Sequence, residues 1–303
     1  MFRHETNGHL KLSPSNSTLR PMKVGIIANP HKKGAASTIN ALTEVLAKHN
    51  ITSLLEDESA KIIGVQSGYS AAELAKNCDV ITVLGGDGTM INAAHRIGPT
   101  STPIAGINIG TLGFLTSCTD DELELFAQAL IDQSYKVIPR ILLETCITYA
   151  DGKTESDFAV NELTLSRGQT GRLISLDAFI DGALLNHYHA DGLIVATPTG
   201  STAYSLAAGG PLLSPIAKAF VITPICPHSL TNRSLVLDDS SEVELVTTDE
   251  SDCLAFYSID GRDVIELPCD ARISIKKADH QLHLLRLKDR SHFSTLRKKL
   301  NWG

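Results

Sequence analysis

Three glycines surround a single carboxylate in the segment Gly85-Gly86-Asp87-Gly88-Thr89, which makes it the first candidate for chemistry. An apolar run that predicts a buried strand, 80–84, precedes it, and a helical pattern, 90–97, follows it. Because glycine has no Cβ, phosphates could approach the backbone N–H groups here, where a helix N-terminus also favours negative charge. The segment matches neither a P-loop nor a GxGxxG dinucleotide motif, and a plain tight turn is the alternative interpretation.

Asp87 is the unusual member of this segment, because a carboxylate repels phosphate. A carboxylate at this position is useful if it accepts the proton of a hydroxyl group, or binds a metal ion, beside the phosphate. Taken alone, the segment therefore predicts a phosphate-handling turn that contains a carboxylate.

A second candidate is the loop 197–205, whose sequence Thr-Pro-Thr-Gly-Ser-Thr-Ala-Tyr-Ser is dense in hydroxyl groups. It follows the apolar run 191–196, and we expect a short helix over 202–207 with Ser201 or Thr202 as its N-cap. Hydroxyls and free N–H groups on such a loop suit a ribose, a phosphate or the edge of an adenine. An ordinary connection rarely needs so many of them, so a functional interpretation is favoured.

Two smaller features are weaker candidates. Asn161-Glu162 lies inside an apolar run, so at least one of the two side chains would point toward a core or a ligand, although a solvated strand end is the simpler alternative. His187 and His189 are spaced to share one face of a strand, but no third ligand is near them in the sequence, so metal binding is not expected. We favour a substrate-facing or interface role for His189.

The elements around these candidates change in kind along the chain. Short apolar runs predict buried strands at 24–28, 51–55, 80–84 and 103–107. Helical spacing occurs at 39–46 and 90–97, so the first part predicts an α/β domain with a doubly wound, mostly parallel sheet. Beyond residue 131 the pattern predicts a β-rich, sandwich-like domain, with strands at 135–149, 157–166, 173–180, 191–196, 242–247, 254–259, 272–277 and 282–287. A final helix is expected over 292–300.

Composition narrows the class of protein. The net charge of −7 argues against a general nucleic-acid binder, and no apolar run is long enough to cross a membrane. The six cysteines have neither disulfide nor zinc spacing, which predicts ordinary thiols, and the polar N-terminus lacks the core of a signal peptide. We therefore expect a cytoplasmic protein that binds neither nucleic acid nor membrane, with residues 1–20 as a disordered tail.

In this order and spacing, the segments resemble the NAD kinase family of bacteria. The matching pieces are Gly85-Gly86-Asp87-Gly88-Thr89, Asn108 with Gly110-Thr111-Leu112-Gly113-Phe114-Leu115, Asn161-Glu162, Asp191-Gly192, 197–205, Gly209-Gly210-Pro211 and Asp260-Gly261. The long block from Asp191 to Gly210 is much more specific than the glycine segment, which lipid kinases and phosphofructokinases carry in similar form.

The resemblance implies an α/β domain at 21–134, a β-rich dinucleotide-binding domain at 135–288, and a C-terminal helix at 289–303 that packs back on the first domain. It implies transfer of the γ-phosphoryl group of ATP to the 2′-hydroxyl of the adenosine ribose of NAD, in a cleft between the domains. Asp87 would be the general base, and geometry rather than basicity would decide its effect. A divalent cation, Mg²⁺ or Mn²⁺, would arrive with ATP, and the chain would form a homo-oligomer, either a dimer or a tetramer.

The resemblance also assigns binding residues. ATP phosphates would meet Gly85, Gly86, Gly88 and Thr89. The dinucleotide would meet Asp87, Gly88, Phe114, Asn161, Glu162, Arg172, His189, Asp191, Thr202, Ala203, Tyr204, Ser205, Ala207 and Arg262. Three of these depart from common patterns of the family: Arg172 replaces His or another polar residue, His189 replaces Arg, and Arg262 replaces Gln. The change at His189 bears on affinity and pH dependence, since imidazole offers no bidentate fork to phosphate.

Two other functions are compatible with parts of the sequence. A lipid or sugar kinase would share the glycine segment, but it would lack the block from Asp191 to Gly210. A non-catalytic NAD(H)-binding sensor would keep the pocket and lose turnover, and the presence of Asp87 argues against it.

Overall fold

The computed structural model describes residues 20–169, 171–248, 255–268, 271–288 and 290–302. The strands in chain order are β1 (Lys23–Ala28), β2 (Thr52–Leu55), β3 (Val80–Leu84), β4 (Ile104–Asn108), β5 (Thr116–Thr119), β6 (Tyr135–Thr148), β7 (Thr154–Ala159), β8 (Glu162–Ser166), β9 (Ile174–Ile180), β10 (Ala183–Ala190), β11 (Gly192–Ala196), β12 (Ala219–Ile225), β13 (Leu235–Asp238), β14 (Val243–Thr247), β15 (Ala255–Ile259), β16 (Ile265–Leu267) and β17 (Arg272–Leu287). The helices are α1 (Ala35–Lys48), α2 (Asp57–Ile62), α3 (Ala71–Asn77), α4 (Asp87–Ile97), α5 (Leu123–Ile131), α6 (Tyr204–Ala207) and α7 (His292–Leu300), and Gly200–Thr202 forms a 3-10 turn.

The chain forms two compact units, and each is described by itself. The first unit consists of Met1–Ala93, Thr102–Ile138 and Leu284–Gly303, and the second consists of Ala94–Ser101 and Pro139–His283. The elements α4, β6 and β17 therefore begin in one unit and end in the other. The predicted disordered tail lies outside the described residues, apart from Arg20.

A parallel sheet with the order β2-β1-β3-β4 is the centre of the first unit. Helices α1 and α5 pack into a core on one face of it. On the other face, Leu74 of α3 lies over Gly25 and Met90 of α4 lies over Gly106. Because both faces are covered, β3 and β4 are buried along their whole length. These observations confirm the predicted doubly wound, mostly parallel sheet.

The second unit is a sandwich of antiparallel sheets. One sheet has the order β13-β12-β11-β8-β15-β16, and the other contains β10-β9-β14 and the first part of β17. Leu163 and Val195 of the first sheet share one core with Leu176 and Leu245 of the second. The predicted β-rich domain is thereby confirmed.

Two of the predicted turns adopt the left-handed backbone that their sequences favour. Asp181 and Gly182 both have positive φ and join β9 to β10, since Ile180 pairs with Ala183 across the hairpin. Asp260 and Gly261 also have positive φ, and they follow β15. The second turn has a further role, because the carboxylate of Asp260 is a central group of the candidate site.

The structure divides the predicted strand 157–166 into two strands, β7 and β8, and joins the predicted strands 272–277 and 282–287 into one, β17. The division occurs because the N–H groups of Val160, Asn161 and Glu162 bond to the carboxylate of Asp260 instead of a neighbouring strand. In β17, Ala278 and Leu282 are buried, which continues the strand across the intervening polar residues.

Several elements have weak sequence signals and were not predicted: α2, α3, α5, β5, β10, β12, β13 and β16. In β12, Pro224 interrupts the pattern expected of a strand, yet it pairs with Leu193. The predicted N-cap of the 202–207 helix was wrong. Ser201 and Thr202 belong to the 3-10 turn, and Ala203 occupies the N-cap of α6 without a side-chain hydrogen bond.

None of the helices in the described part of the chain has the length and apolarity that a membrane crossing requires.

Of the cysteines, Cys78, Cys118, Cys146 and Cys226 are free thiols. Burial raises the pKa of the Cys118 thiol to about 12. The other two cysteines lie outside the described residues.

Candidate active site

The glycine segment occupies the carboxyl end of β3 and the first turn of α4, as predicted. A Cβ at Gly85 would overlap Thr89, whereas Gly86 and Gly88 have room around them. The hydroxyl of Thr89 accepts a hydrogen bond from Nδ2 of Asn29 at 3.2 Å, which links the segment to the end of the neighbouring strand β1. Gly85 and Thr89 therefore shape the turn, and Gly86 and Gly88 leave its backbone open.

Asp87 is held by the loop that follows β4. Its Oδ2 accepts a hydrogen bond from the N–H of Phe114 at 2.8 Å, and its Oδ1 accepts one from the N–H of Leu115 at 2.9 Å. A Cβ at Gly113 would overlap the carboxylate, so only glycine permits this close approach. Each carboxylate oxygen has one backbone donor and retains a second lone-pair direction for another hydrogen bond. The orientation of the acid is thus set by backbone rather than by mobile side chains.

The loop that holds Asp87 is itself fixed by four hydrogen bonds. The side-chain amide of Asn108 donates to the carbonyl of Thr111, and the N–H of Gly113 donates to Oγ1 of Thr116 at 2.7 Å. The buried guanidinium of Arg286 donates from Nη1 to the carbonyls of Phe114, at 3.0 Å, and Thr116, at 2.7 Å. These contacts explain why a loop rich in glycine keeps one shape.

Arg286 also brings a positive charge near Asp87. Burial lowers the pKa of the Arg286 guanidinium, and the carboxylate of Asp87 acts in the opposite direction. The two groups therefore lie within electrostatic reach of each other. A buried cation in this position attracts an anionic group that binds beside it.

In the second unit, the segment 160–162 is held through all of its backbone N–H groups. Oδ2 of Asp260 accepts from the N–H of Val160 at 2.9 Å, and Oδ1 accepts from the N–H groups of Asn161 at 2.7 Å and Glu162 at 3.1 Å. The N–H of Asp260 donates in return to the carbonyl of Glu162 at 2.9 Å. One carboxylate thus fixes the dipeptide that the sequence singles out.

The carbonyls on the same segment are held from the other side by the loop after β11. Thr197 donates from Oγ1 to the carbonyl of Val160 at 2.7 Å and from its N–H to the carbonyl of Asn161 at 2.8 Å. A Cβ at Gly200 would overlap the backbone of Asn161, so the glycine is required for this contact. Since the backbone of 160–162 is fully engaged, the side chains of Asn161 and Glu162 have fixed starting points.

His95 of α4 completes the environment of Asp260. Its Nε2 lies 2.7 Å from Oδ2 of Asp260, and its ring stacks on Phe158 with centroids 4.4 Å apart. The side chains of His95 and Asp260 are 5% and 0% exposed, and Nδ1 of His95 lies 3.9 Å from Oδ1 of Asp157. The Asp260 carboxylate therefore has four donors and little contact with water, as a buried charge requires.

Glu162 contrasts with Asp260 because its Oε2 is buried and has no hydrogen-bond partner among the described residues. The residue is only 7% exposed. Burial, and then the nearby charge of Asp260, raise the pKa of Glu162 to about 8. Buried acids with such a shift occur often at functional sites.

Four hydroxyl groups of the loop 197–205, those of Thr197, Ser201, Thr202 and Ser205, are engaged within the protein. Ser201 donates to the carbonyl of Pro198 at 2.7 Å, Thr202 donates to that of Thr199 at 3.0 Å, and the Ser205 hydroxyl lies 2.9 Å from that of Thr223. The hydroxyls therefore build the loop, a role that the sequence interpretation did not assign to them. Beyond them, Tyr204 is 46% exposed, Ala207 is exposed, and Ala203 is half-buried.

Other predicted binding residues occupy different surroundings. Asp191 lies between β10 and β11, and its Oδ1 is 2.6 Å from Nε of Arg167. His189 lies on β10 of the other sheet, is exposed, and places Nδ1 3.1 Å from the Ser175 hydroxyl. Arg172 is exposed in the connection between β8 and β9. Arg262 pairs with Asp157 at 3.1 Å beside a cavity of about 190 Å³.

No group of three or more His, Cys, Asp or Glu residues that could hold a metal ion occurs within the described ranges. His187 and His189 do share a face of β10, on either side of buried Tyr188. His187 is paired with Asp177 at 2.6 Å.

Two family models match the chain and together cover most of it. The model of the ATP-NAD kinase N-terminal domain matches residues 24–135, and that of the ATP-NAD kinase C-terminal domain matches residues 160–287. The chain belongs to the ATP-NAD kinase family. The two matched ranges contain the residues that the structure places around Asp87 and around Asn161 and Glu162, apart from Asp157 and Phe158.

Curated members of the NAD kinase family are similar over nearly the whole chain. The NAD kinase of Sulfurimonas denitrificans is 37% identical over 281 residues, which cover 93% of this chain and 97% of the relative. The NAD kinase of Neisseria gonorrhoeae is 37% identical over 288 residues, which cover 92% and 96%.

Solved structures of NAD(H) kinases share the fold. A yeast NADH kinase complexed with NADH superposes with a TM-score of 0.85 at 26% identity, covering 96% of this chain and 93% of that one. An NAD kinase from Archaeoglobus fulgidus in complex with ATP gives a TM-score of 0.71 at 23% identity, which supports the fold alone.

Several residues that shape the site were not among the predicted binding residues. Gly113, Leu115 and Arg286 hold Asp87 in the first unit, whereas His95, Thr197, Gly200 and Asp260 hold the segment 160–162 in the second. The sequence contained a signal for some of them, since Gly113, Thr197, Gly200 and Asp260 lie in the motifs that carry the family resemblance. His95 and Arg286 have no such signal.

The role of Asp260 predicts a large loss of stability in the Asp260→Ala variant. Three backbone N–H groups and the His95 ring would lose their acceptor in a buried place, which should cost about 3–5 kcal/mol. Urea unfolding would measure it, with Asp263→Ala, an exposed neighbour, as the matched control. A loss equal to that of the control would contradict the assigned role.

The shifted pKa of Glu162 predicts a specific pH dependence of stability. Because the folded protein keeps a proton on this acid that the unfolded chain releases from about pH 4.5, the contribution of Glu162 to stability falls as pH rises toward about 8. Glu162→Gln removes this dependence, so its Tm minus that of the wild type should increase from about pH 4.5 to 8 and then level off. A difference in Tm that stays constant over the same range would contradict the shift.

Proposed function

We propose that the chain transfers the γ-phosphoryl group of ATP to the 2′-hydroxyl of the adenosine ribose of NAD and so makes NADP. The observation that carries this proposal is the held carboxylate of Asp87 at the open turn Gly86–Gly88. It places a proton acceptor beside backbone N–H groups that suit phosphate. Family membership supports the choice of NAD and ATP as substrates.

Phosphoryl transfer depends mainly on positioning and on the neutralisation of charge. In the proposed reaction, the 2′-hydroxyl of NAD donates a hydrogen bond to a carboxylate oxygen of Asp87 as its oxygen attacks the γ-phosphorus of ATP. The proton moves to Asp87, the new P–O bond forms, and ADP leaves. Because the N–H groups of Phe114 and Leu115 fix the direction of the carboxylate, orientation is its main contribution.

The phosphates of ATP are proposed to lie at the start of α4. Gly86 and Gly88 leave the backbone accessible, while the helix N-terminus and the buried Arg286 favour negative charge in this region. Gly85 and Thr89 act by shaping the turn.

In the first unit, Phe114 and Gly88 are proposed to contact the dinucleotide. Asn161 and Glu162 would bind its ribose and adenine groups, since their backbone is locked and their side chains are positioned by it. Further contacts with the dinucleotide would come from Asp191 and from a group of residues in or beside the 3-10 turn and α6: Thr202, Ala203, Tyr204, Ser205 and Ala207. Arg172, His189 and Arg262 would contribute polar contacts.

A divalent cation, Mg²⁺ or Mn²⁺, is proposed to enter as the ATP complex. The carboxylate of Asp87 at the phosphate turn fits a cation that is held mainly by phosphate oxygens. The cation would neutralise phosphate charge. The work of this chain is to orient the hydroxyl and cradle the phosphates.

We also propose a cytoplasmic homo-oligomer, either a dimer or a tetramer. Strand β10 is at the edge of its sheet and exposes Leu184, His187 and His189, which suits contact with a second copy. Light scattering coupled to gel filtration would give the oligomeric state.

Incubation of the protein with ATP, Mg²⁺ and NAD should produce NADP, measured with an NADP-specific dehydrogenase. Asp87→Asn should retain the fold and lose about 10²- to 10⁴-fold in kcat, because the amide cannot accept the hydroxyl proton. Asp132→Asn, at an exposed position of the same unit, is the control. Binding of NAD without formation of NADP by the wild type would favour a sensor and contradict the proposal.

Gly113→Ala should reduce the same activity with little change in Tm, because the new methyl group would displace the carboxylate of Asp87. The loss should appear in kcat more than in the KM for either substrate. Gly68→Ala is the matched control, since a Cβ there meets nothing within 4 Å. Equal kcat values for the two variants would show that the contact with Gly113 does not position Asp87.

A further inference from the structure

The carboxyl group of Glu162 is the one buried acid of the described site that lacks a partner for an oxygen. No residue in the described part of the chain donates to its Oε2, although Glu162 is only 7% exposed. Asp260, by comparison, receives four donors. An ionised carboxylate in the position of Glu162 would have neither water nor a donor for that oxygen, which is costly.

The charges around Glu162 also disfavour a second negative charge. Asp260, after β15, is the nearest acid, and the donors around its carboxylate are already engaged with it. His95 of α4 is bonded to Asp260, and its other ring nitrogen faces Asp157 of β7. The charged groups in this region are therefore already paired, since the His95 ring is bonded to Asp260 and the guanidinium of Arg262 is paired with Asp157.

The backbone of Glu162 is held in place and cannot shift to bring the carboxyl group into water. Its N–H and carbonyl are both bonded to Asp260, and the preceding carbonyls are bonded to Thr197. A shift of the main chain that moved the carboxyl into water would break several hydrogen bonds. The carboxyl group can therefore change position only by rotation about the side-chain bonds of Glu162.

From this geometry we propose that Glu162 meets the nucleotide as a neutral carboxyl group and donates a hydrogen bond to an acceptor atom of NAD. The inference rests on the proposed function, because it takes NAD as the ligand. A carboxylate could only accept from ribose hydroxyls or from the adenine amino group, whereas a neutral carboxyl can donate as well. The shift of the Glu162 pKa to about 8 is consistent with this role.

The conservative variant Glu162→Gln separates the two roles. A glutamine side chain can donate and accept, as a neutral carboxyl does, but it cannot supply a negative charge. Titration calorimetry with NAD at pH 6, 7, 8 and 9 would compare the wild type with Glu162→Gln and with Glu266→Gln, an exposed control on β16.

At pH 7 Glu162→Gln should bind NAD within a few-fold of the wild type. Above about pH 8 the wild type and the control should lose affinity, approaching about tenfold per pH unit, while Glu162→Gln should lose none. The inference is overturned if Glu162→Gln loses about tenfold or more at pH 7 while the wild type keeps its affinity to pH 9.

Infrared difference spectroscopy of the protein without nucleotide gives an independent readout. A carbonyl stretch of a protonated carboxyl should persist at pH 7 in the wild type and be missing in Glu162→Gln. Its absence from the wild type would overturn the inference. Failure of the proposed function would be seen differently, as a wild type that binds no NAD at any pH.

Discussion

A single buried carboxylate, that of Asp260, organises the second unit around the candidate site. It accepts hydrogen bonds from three successive N–H groups, at 160–162, and from His95. These bonds lie where the chain leaves β7 of one sheet and enters β8 of the other, which is the position of Asn161 and Glu162. Because a buried charge is stable only when its donors are in place, the turn after β15, the segment 160–162 and the ring of His95 must assume their positions together.

In the first unit, a carboxylate is held by backbone N–H groups so that its own orientation is fixed, whereas Asp260 holds the backbone of other residues. There the important carboxylate, Asp87, is the candidate catalytic group, and the backbone N–H groups of Phe114 and Leu115 orient it. Gly113 provides the space, and Arg286 fixes the carbonyl side of the same loop. In both units the position of a functional group is therefore determined by main-chain contacts, which are more rigid than contacts between long side chains.

The fold class and the location of the glycine segment could be predicted from the sequence, because buried parallel strands and strand-to-helix glycines give local signals. The contribution of Asp260 could not be derived in that way, since it acts on residues about a hundred positions earlier. For the same reason, the division of β7 from β8 was missed. The hydroxyls of Thr197, Ser201 and Ser205 suggested ligand contacts, but sequence does not reveal that hydroxyls satisfy each other and the backbone.

The proposed reaction requires Asp87 to be oriented so that it receives the 2′-hydroxyl proton of NAD. A crystal structure of the protein with NAD and a non-hydrolysable ATP analogue would test this requirement most directly. The 2′-oxygen of the adenosine ribose is expected within hydrogen-bond distance of a carboxylate oxygen of Asp87, with the N–H groups of Phe114 and Leu115 still bonded to that carboxylate. A 2′-oxygen out of reach of Asp87, with both nucleotides bound, would contradict it.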